Sequence, residues 1–146
     1  MNWDDCLEEG KVKRAFKDKG LAKSCIDMSN RFIESVKMVK LSERTAPVII
    51  SNLYDALLSI CEAVLALNGF KSYNHECVTS FLKRILNEHR ISEVFDRYRK
   101  IRNKIKYYGR TVSTDTAKRA EEEIINAVDY LKNKYLRGLE GLKQSL

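Results

Sequence analysis

The run from Ala46 to Leu67, "APVIISNLYDALLSICEAVLAL", constrains the fold more than any other part of the chain. Read as a helix, it places Val48, Ile49, Ile50, Leu53, Leu57, Leu58, Ile60, Val64, Leu65 and Leu67 on most of its faces. A helix that is apolar nearly all round must be enclosed. The run therefore predicts a central helix packed by several neighbours. Its ends carry matching signals. Thr45 is placed to act as N-cap, and Pro47 sits in the first turn, where a missing N–H does no harm. Asn68-Gly69 follows the last apolar residue, and Gly69 can take the left-handed conformation at C′.

The neighbours read as amphipathic helices. From about 21 to 41, Leu21, Cys25, Met28, Phe32, Val36 and Val39 recur in steps of three and four. From about 75 to 88, Val78, Phe81, Leu82, Ile85 and Leu86 face inward. Ser92 is placed to cap the next helix, whose stripe is Val94, Tyr98, Ile101, Ile105 and Tyr108, and Gly109 ends it. After the loop "TVSTD" a last helix starts at about 115, with the stripe Ala117, Ala120, Ile124, Val128, Leu131 and Tyr135, fraying near Gly138 and Gly141. Residues 3 to 9 form a short turn or two. Gly10 to Gly20 reads as charged and irregular. No run alternates in the manner of a strand. Short connections make neighbouring helices antiparallel. The expected fold is all-α: an up-and-down antiparallel bundle of four long helices plus a short fifth helix, one domain over 1–146.

Composition narrows the class. A chain of 146 residues can bury a core without staples. One Pro and six Gly argue against low complexity. No apolar run approaches the roughly 20 residues of a membrane span, and the acidic opening "MNWDDCLEEG" does not resemble a signal peptide. These readings point to the cytoplasm. Cys6, Cys25, Cys61 and Cys77 are widely spaced, with no CxxC pair and no Cys/His cluster, so they indicate no metal site. They read as small, mostly buried thiols in a reducing compartment. No cofactor is implied.

The charge is concentrated. "RYRKIRNKIKYYGR", residues 97–110, holds seven Lys and Arg and no acid, in a chain of formal net charge +7. On a helix, Phe95, Arg99, Arg102 and Lys106 form a second stripe beside the apolar one. Asn103 and Tyr107 lie further round, with Lys100 near them. One reading is a solvated face answered by acids of the last helix, at "AEEEI". The other is a grip for phosphate. Like charges at i,i+4, as in Arg102 and Lys106, cost stability and want a reason. A second polar stripe, Ser51, Asp55, Ser59 and Glu62, runs down the central helix. It is either that helix's exposed edge or a set of partners for an Arg of a neighbouring helix.

"IRNKIKYYGR" on the fourth helix of a small helical domain resembles the HEPN superfamily. So do "MNWDDCLEEGKV" and "NLYDALLSICEAVLALNGFKSYNHECVTSFL", and the resemblance covers most of the chain. It implies a helical bundle, usually a homodimer. Active members are metal-independent endoribonucleases with a motif of Arg, a polar residue, a short spacer and His. Many are toxins paired with a nucleotidyltransferase antitoxin, and others bind nucleotide or RNA without cutting. By that resemblance Arg102 is the motif Arg, Asn103 its polar neighbour, and position 107 the motif His. Here it is Tyr107, and both His75 and His89 lie upstream. The position that carries a modifiable Tyr in some members is Gly109. Arg102 and Tyr107 are thus the catalytic candidates. Arg99, Arg102, Asn103, Lys106, Tyr107 and Asp55 are the candidate nucleotide- or RNA-binding set, with no metal. Tyr, with a reference pKa of about 10, donates a proton at neutral pH but is a poor base. The expected activity is therefore binding of RNA or nucleotide. The alternatives are a weak ribonuclease toxin and a non-catalytic module that partners a nucleotidyltransferase.

Overall fold

The computed structural model describes residues 1–139. The order of elements is α1 (Trp3–Glu8), β1 (Val12–Arg14), α2 (Lys19–Lys37), α3 (Ala46–Leu67), β2 (Phe70–Ser72), α4 (His75–Ser80), a π-helical turn (Phe81–Ile85), α5 (His89–Tyr108) and α6 (Thr114–Tyr135). The described chain is mostly helical, as an all-α class requires.

α3 is the central element. Leu53, Leu57, Ile60 and Val64 have no exposed surface, and α2, α5 and α6 all pack against the helix. By length and composition α3 is also apolar enough to cross a membrane. The expectation that no segment reaches that threshold is therefore corrected, although two thirds of its most apolar window is buried inside the protein. Pro47 lies in the first turn as expected. Thr45 occupies the N-cap position but makes no capping bond. Its hydroxyl instead donates to Lys40 O (2.6 Å), while Ser42 Oγ accepts from Thr45 N (3.2 Å) and Thr45 Oγ1 from Ser42 N (2.9 Å). This is a reciprocal box one turn upstream. At the far end Gly69 has φ +77°, and an added Cβ would lie 3.1 Å from Ala15 O.

α2 is rotated from its expected phase. Its buried residues are Ala22, Ile26, Ser29 and Val36, while Leu21 and Met28 stay 43% and 44% exposed. Small residues decide this. Ala22 and Ser29 let the backbones approach, and Ser29 Oγ donates to Ala56 O across the contact (2.8 Å). The helix ends at Lys37, earlier than periodicity suggested.

Two expectations about irregular backbone are also corrected. Part of Gly10–Gly20 is strand β1, which pairs antiparallel with β2 in the register Val12↔Ser72, Lys13↔Lys71, Arg14↔Phe70. Strands of three residues are too short to show alternation. The helix expected over 75–88 is shorter: α4 is capped by the Asn74 side chain, which accepts from Cys77 N (3.2 Å), and then passes into the π turn. α5 begins at His89, so Ser92 is not its cap. Ser92 is buried, and its hydroxyl donates to Thr79 O (3.3 Å). Gly109 ends α5 in the left-handed conformation, and Ser113 caps α6. α6 stops at Tyr135; Gly141 lies outside the described residues.

Cys6 and Cys77 form a disulfide that ties α1 to α4. This overturns the reading of four free thiols. A pairing across 71 residues leaves no local trace in the sequence. Cys25 and Cys61 are free.

Candidate functional site

α5 does not present its basic stripe to solvent as a whole. Phe95 lies on that stripe, has no exposed surface, and packs on Tyr54 of α3 with ring centroids 5.3 Å apart. Its burial turns Arg99 and Arg102, one and two turns further on, toward α3. Each guanidinium side chain is only 16% exposed. The expected inward stripe holds at Val94 and Tyr98 and half holds at Ile101 and Ile105. Tyr108 is 76% exposed, which corrects its assignment toward the core.

Three elements meet around Arg102. α3 supplies Tyr54 and Asp55. Arg102 Nη2 donates to Asp55 Oδ1 at 3.5 Å, the outer limit of a hydrogen bond, and its guanidinium carbon lies 5.4 Å from the Tyr54 ring centroid. So one polar residue of the α3 stripe does receive an Arg from a neighbouring helix. α4 supplies His75 at its first position, where the Asn74 cap fixes the turn. Tyr54 Oη lies 3.1 Å from His75 Nδ1. Arg99 is held through Nε and Nη2 by Asp96 Oδ1 (3.1 and 2.8 Å).

The electrostatics follow from burial. Burial pushes the Tyr54 hydroxyl far above its ordinary value, against the pull of Arg102. It therefore stays protonated, and its hydroxyl can donate to Nδ1 or accept from Nδ1–H according to the imidazole tautomer. Burial, then Arg102, pushes His75 down, partly opposed by Asp55. Burial raises Asp55, with Arg102, His75 and Lys106 pulling the other way. His75 is thus neutral near pH 7, and its Nε2 has no protein partner among the described residues.

The cluster gathers Asp55, Arg99, Arg102 and Lys106 from the expected set. Asn103 is half-exposed, and Tyr107 is 67% exposed with its ring beside Lys106 Nζ (5.6 Å) rather than beside Asp55. Sequence reasoning passed over Tyr54 and His75. Both lie in the stretches quoted for the family resemblance, yet nothing local shows that α4 folds back onto α3. Acids answer part of the basic run: Arg97 pairs with Glu123 of α6, and Lys100 with Asp96 (3.0 Å). Lys104, Lys106 and Arg110 have no ion-pair partner among the described residues. No three His, Cys, Asp or Glu side chains among those residues gather as a metal site.

Chemically, the arrangement is suited to gripping an anion, with a neutral imidazole beside it. One long bond to Asp55 leaves most Arg102 N–H groups for a ligand, and a planar guanidinium suits the oxygens of a phosphate. No protein-family model, curated protein or solved structure matches the chain.

Proposed function

We propose that this chain is a HEPN-like domain that binds nucleotide or RNA phosphate at the Arg102 cluster. The observation that carries the reading is Arg102 itself: packed on Tyr54, tethered by one long bond to Asp55, and flanked by Arg99, Lys106 and His75. A guanidinium held in place but not saturated binds a phosphate with little further loss of side-chain freedom. The reading includes one domain over 1–146, four long helices in up-and-down antiparallel order, a homodimer, a cytoplasmic location, and a toxin–antitoxin pair with a nucleotidyltransferase. Neither sulfur-bearing residue of the disulfide has exposed surface, which shields it from soluble thiols in such a compartment.

His75 favours a second reading, a slow metal-independent endoribonuclease. Cleavage needs a base to take the 2′-hydroxyl proton and an acid to protonate the leaving 5′-oxygen. Tyr107 suits only the second role. His75 suits the first in the neutral tautomer that carries its proton on Nδ1, against Tyr54 Oη, and leaves the Nε2 lone pair open; it reaches the motif Arg from α4 instead of from α5.

One gel tests both readings. Labelled structured RNA is incubated in EDTA with the natural protein, Arg102→Ala and His75→Ala. The proposed function predicts shifted, uncut RNA, with the shift weakened at least tenfold by Arg102→Ala, the scale of a lost charge-assisted bond. Cutting that His75→Ala abolishes would promote the ribonuclease reading. No shift by the natural protein would contradict both and leave a protein-facing interaction module.

A further inference from the structure

The β1–β2 ribbon carries a second concentration of charge, outside the cluster. Lys13 and Lys71 face each other directly in the register. Like charges placed opposite destabilise a strand pair, and neither lysine has an ion-pair partner among the described residues. Tyr73 follows β2 and is 60% exposed. Lys13 Nζ and Lys71 Nζ lie 5.7 and 5.5 Å from its ring centroid. Arg14 lies over Phe70 (5.5 Å), and Phe16, just beyond β1, is 94% exposed. The ribbon thus offers exposed aromatic rings interleaved with lysines that form no close ion pair among the described residues.

Its position matters as much. Tyr73 precedes His75 by two residues, at most about 7 Å of chain. Glu62 feels both Lys71 of the ribbon and Asp55 of the cluster. The ribbon therefore borders the Arg102 cluster on the α4 side.

We propose that this ribbon is a platform for single-stranded RNA that extends the phosphate site. The inference rests on the function proposed above and names its ligand. Lys13 and Lys71 take backbone phosphates. A phosphate drawing the two ammonium groups toward itself frees the Tyr73 ring for a base to stack on. Single strands fit because their bases can splay onto an aromatic ring, whereas a duplex keeps its base faces stacked.

The test is fluorescence anisotropy with a labelled single-stranded oligouridine and a duplex RNA of the same length, across a salt series. The proteins are the natural chain, Tyr73→Ala, the double variant Lys13→Ala/Lys71→Ala, and Arg102→Ala, each checked by circular dichroism. Tyr73→Ala should weaken single-strand binding about tenfold and leave duplex binding unchanged. The lysine pair should flatten the log–log salt slope by about 1.4, for two phosphates at about 0.7 each. Unchanged single-strand binding in both ribbon variants, with Arg102→Ala still weakening it, would overturn the platform and spare the phosphate site. Loss in the ribbon variants with no effect of Arg102→Ala would support the platform and overturn the phosphate site. Equal affinity of the natural protein for the two RNAs would also overturn the platform.

Discussion

Arg102 and Asp55 pull the charge of His75 in opposite directions. A guanidinium beside an imidazole disfavours the imidazolium, while Asp55 favours it. These opposite signs give a test at the scale of single residues. The chain has two histidines, so ring resonances assigned through His75→Gln report directly. His75 should titrate at higher pH in Arg102→Ala than in the natural protein, and at lower pH in Asp55→Asn. Shifts of the same sign in both would show that the three side chains do not share a site. Part of this cluster was legible. Asp55 stood out as a polar residue at i,i+4 spacing on an apolar helix, and Arg102 as the centre of a basic run. His75 was not legible, because its role depends on α4 packing onto α3 across 20 residues of chain.

At the scale of elements, long-period signals were readable and short ones were not. α3 was bounded correctly because an all-round apolar run with Pro47 and Gly69 at its ends admits few alternatives. α2 shows the limit: two apolar stripes one residue apart are nearly equivalent in sequence, and close approach at Ala22 and Ser29 selects between them. The start of α5 was misplaced for a related reason. Glu88 precedes it, 8% exposed, and accepts from Tyr130 Oη, Tyr135 Oη (2.6 Å) and Lys134 Nζ (2.8 Å) of α6. A buried carboxylate taking bonds from another helix has no local signature. Burial alone would raise Glu88, but the Lys134 and tyrosine bonds outweigh it and hold it below its ordinary value. Its stabilisation is therefore present above the unfolded-state pKa and lost as pH falls through the folded one. Glu88→Ala should cost about 2 kcal/mol in urea unfolding at pH 7, the scale of a charge-assisted hydrogen bond. The gap from the natural protein should narrow below about pH 4.5. A gap independent of pH would mean that the carboxylate does not hold α5 to α6.

At the scale of the whole molecule, the disulfide links the folded core to the site. Cys77 shares α4 with His75, and Cys6 anchors that helix to α1. Closing a loop of 71 residues restricts the unfolded chain, worth about 4 kcal/mol in the loop-entropy account. Reductant, or Cys6→Ser/Cys77→Ser, should lower the unfolding free energy by that order and the denaturation midpoint with it. An unchanged midpoint in reductant would show that the sulfurs are not joined under the conditions of the measurement. The central claim is that Arg102 is a phosphate grip. It is tested most directly by running the RNA gel-shift comparison of the natural protein and Arg102→Ala over a salt series in EDTA and without reductant. The account predicts binding that falls steeply with salt, is weakened at least tenfold by Arg102→Ala, and shows a shallower salt slope in the variant. Equal affinities and equal slopes for the two proteins would contradict it.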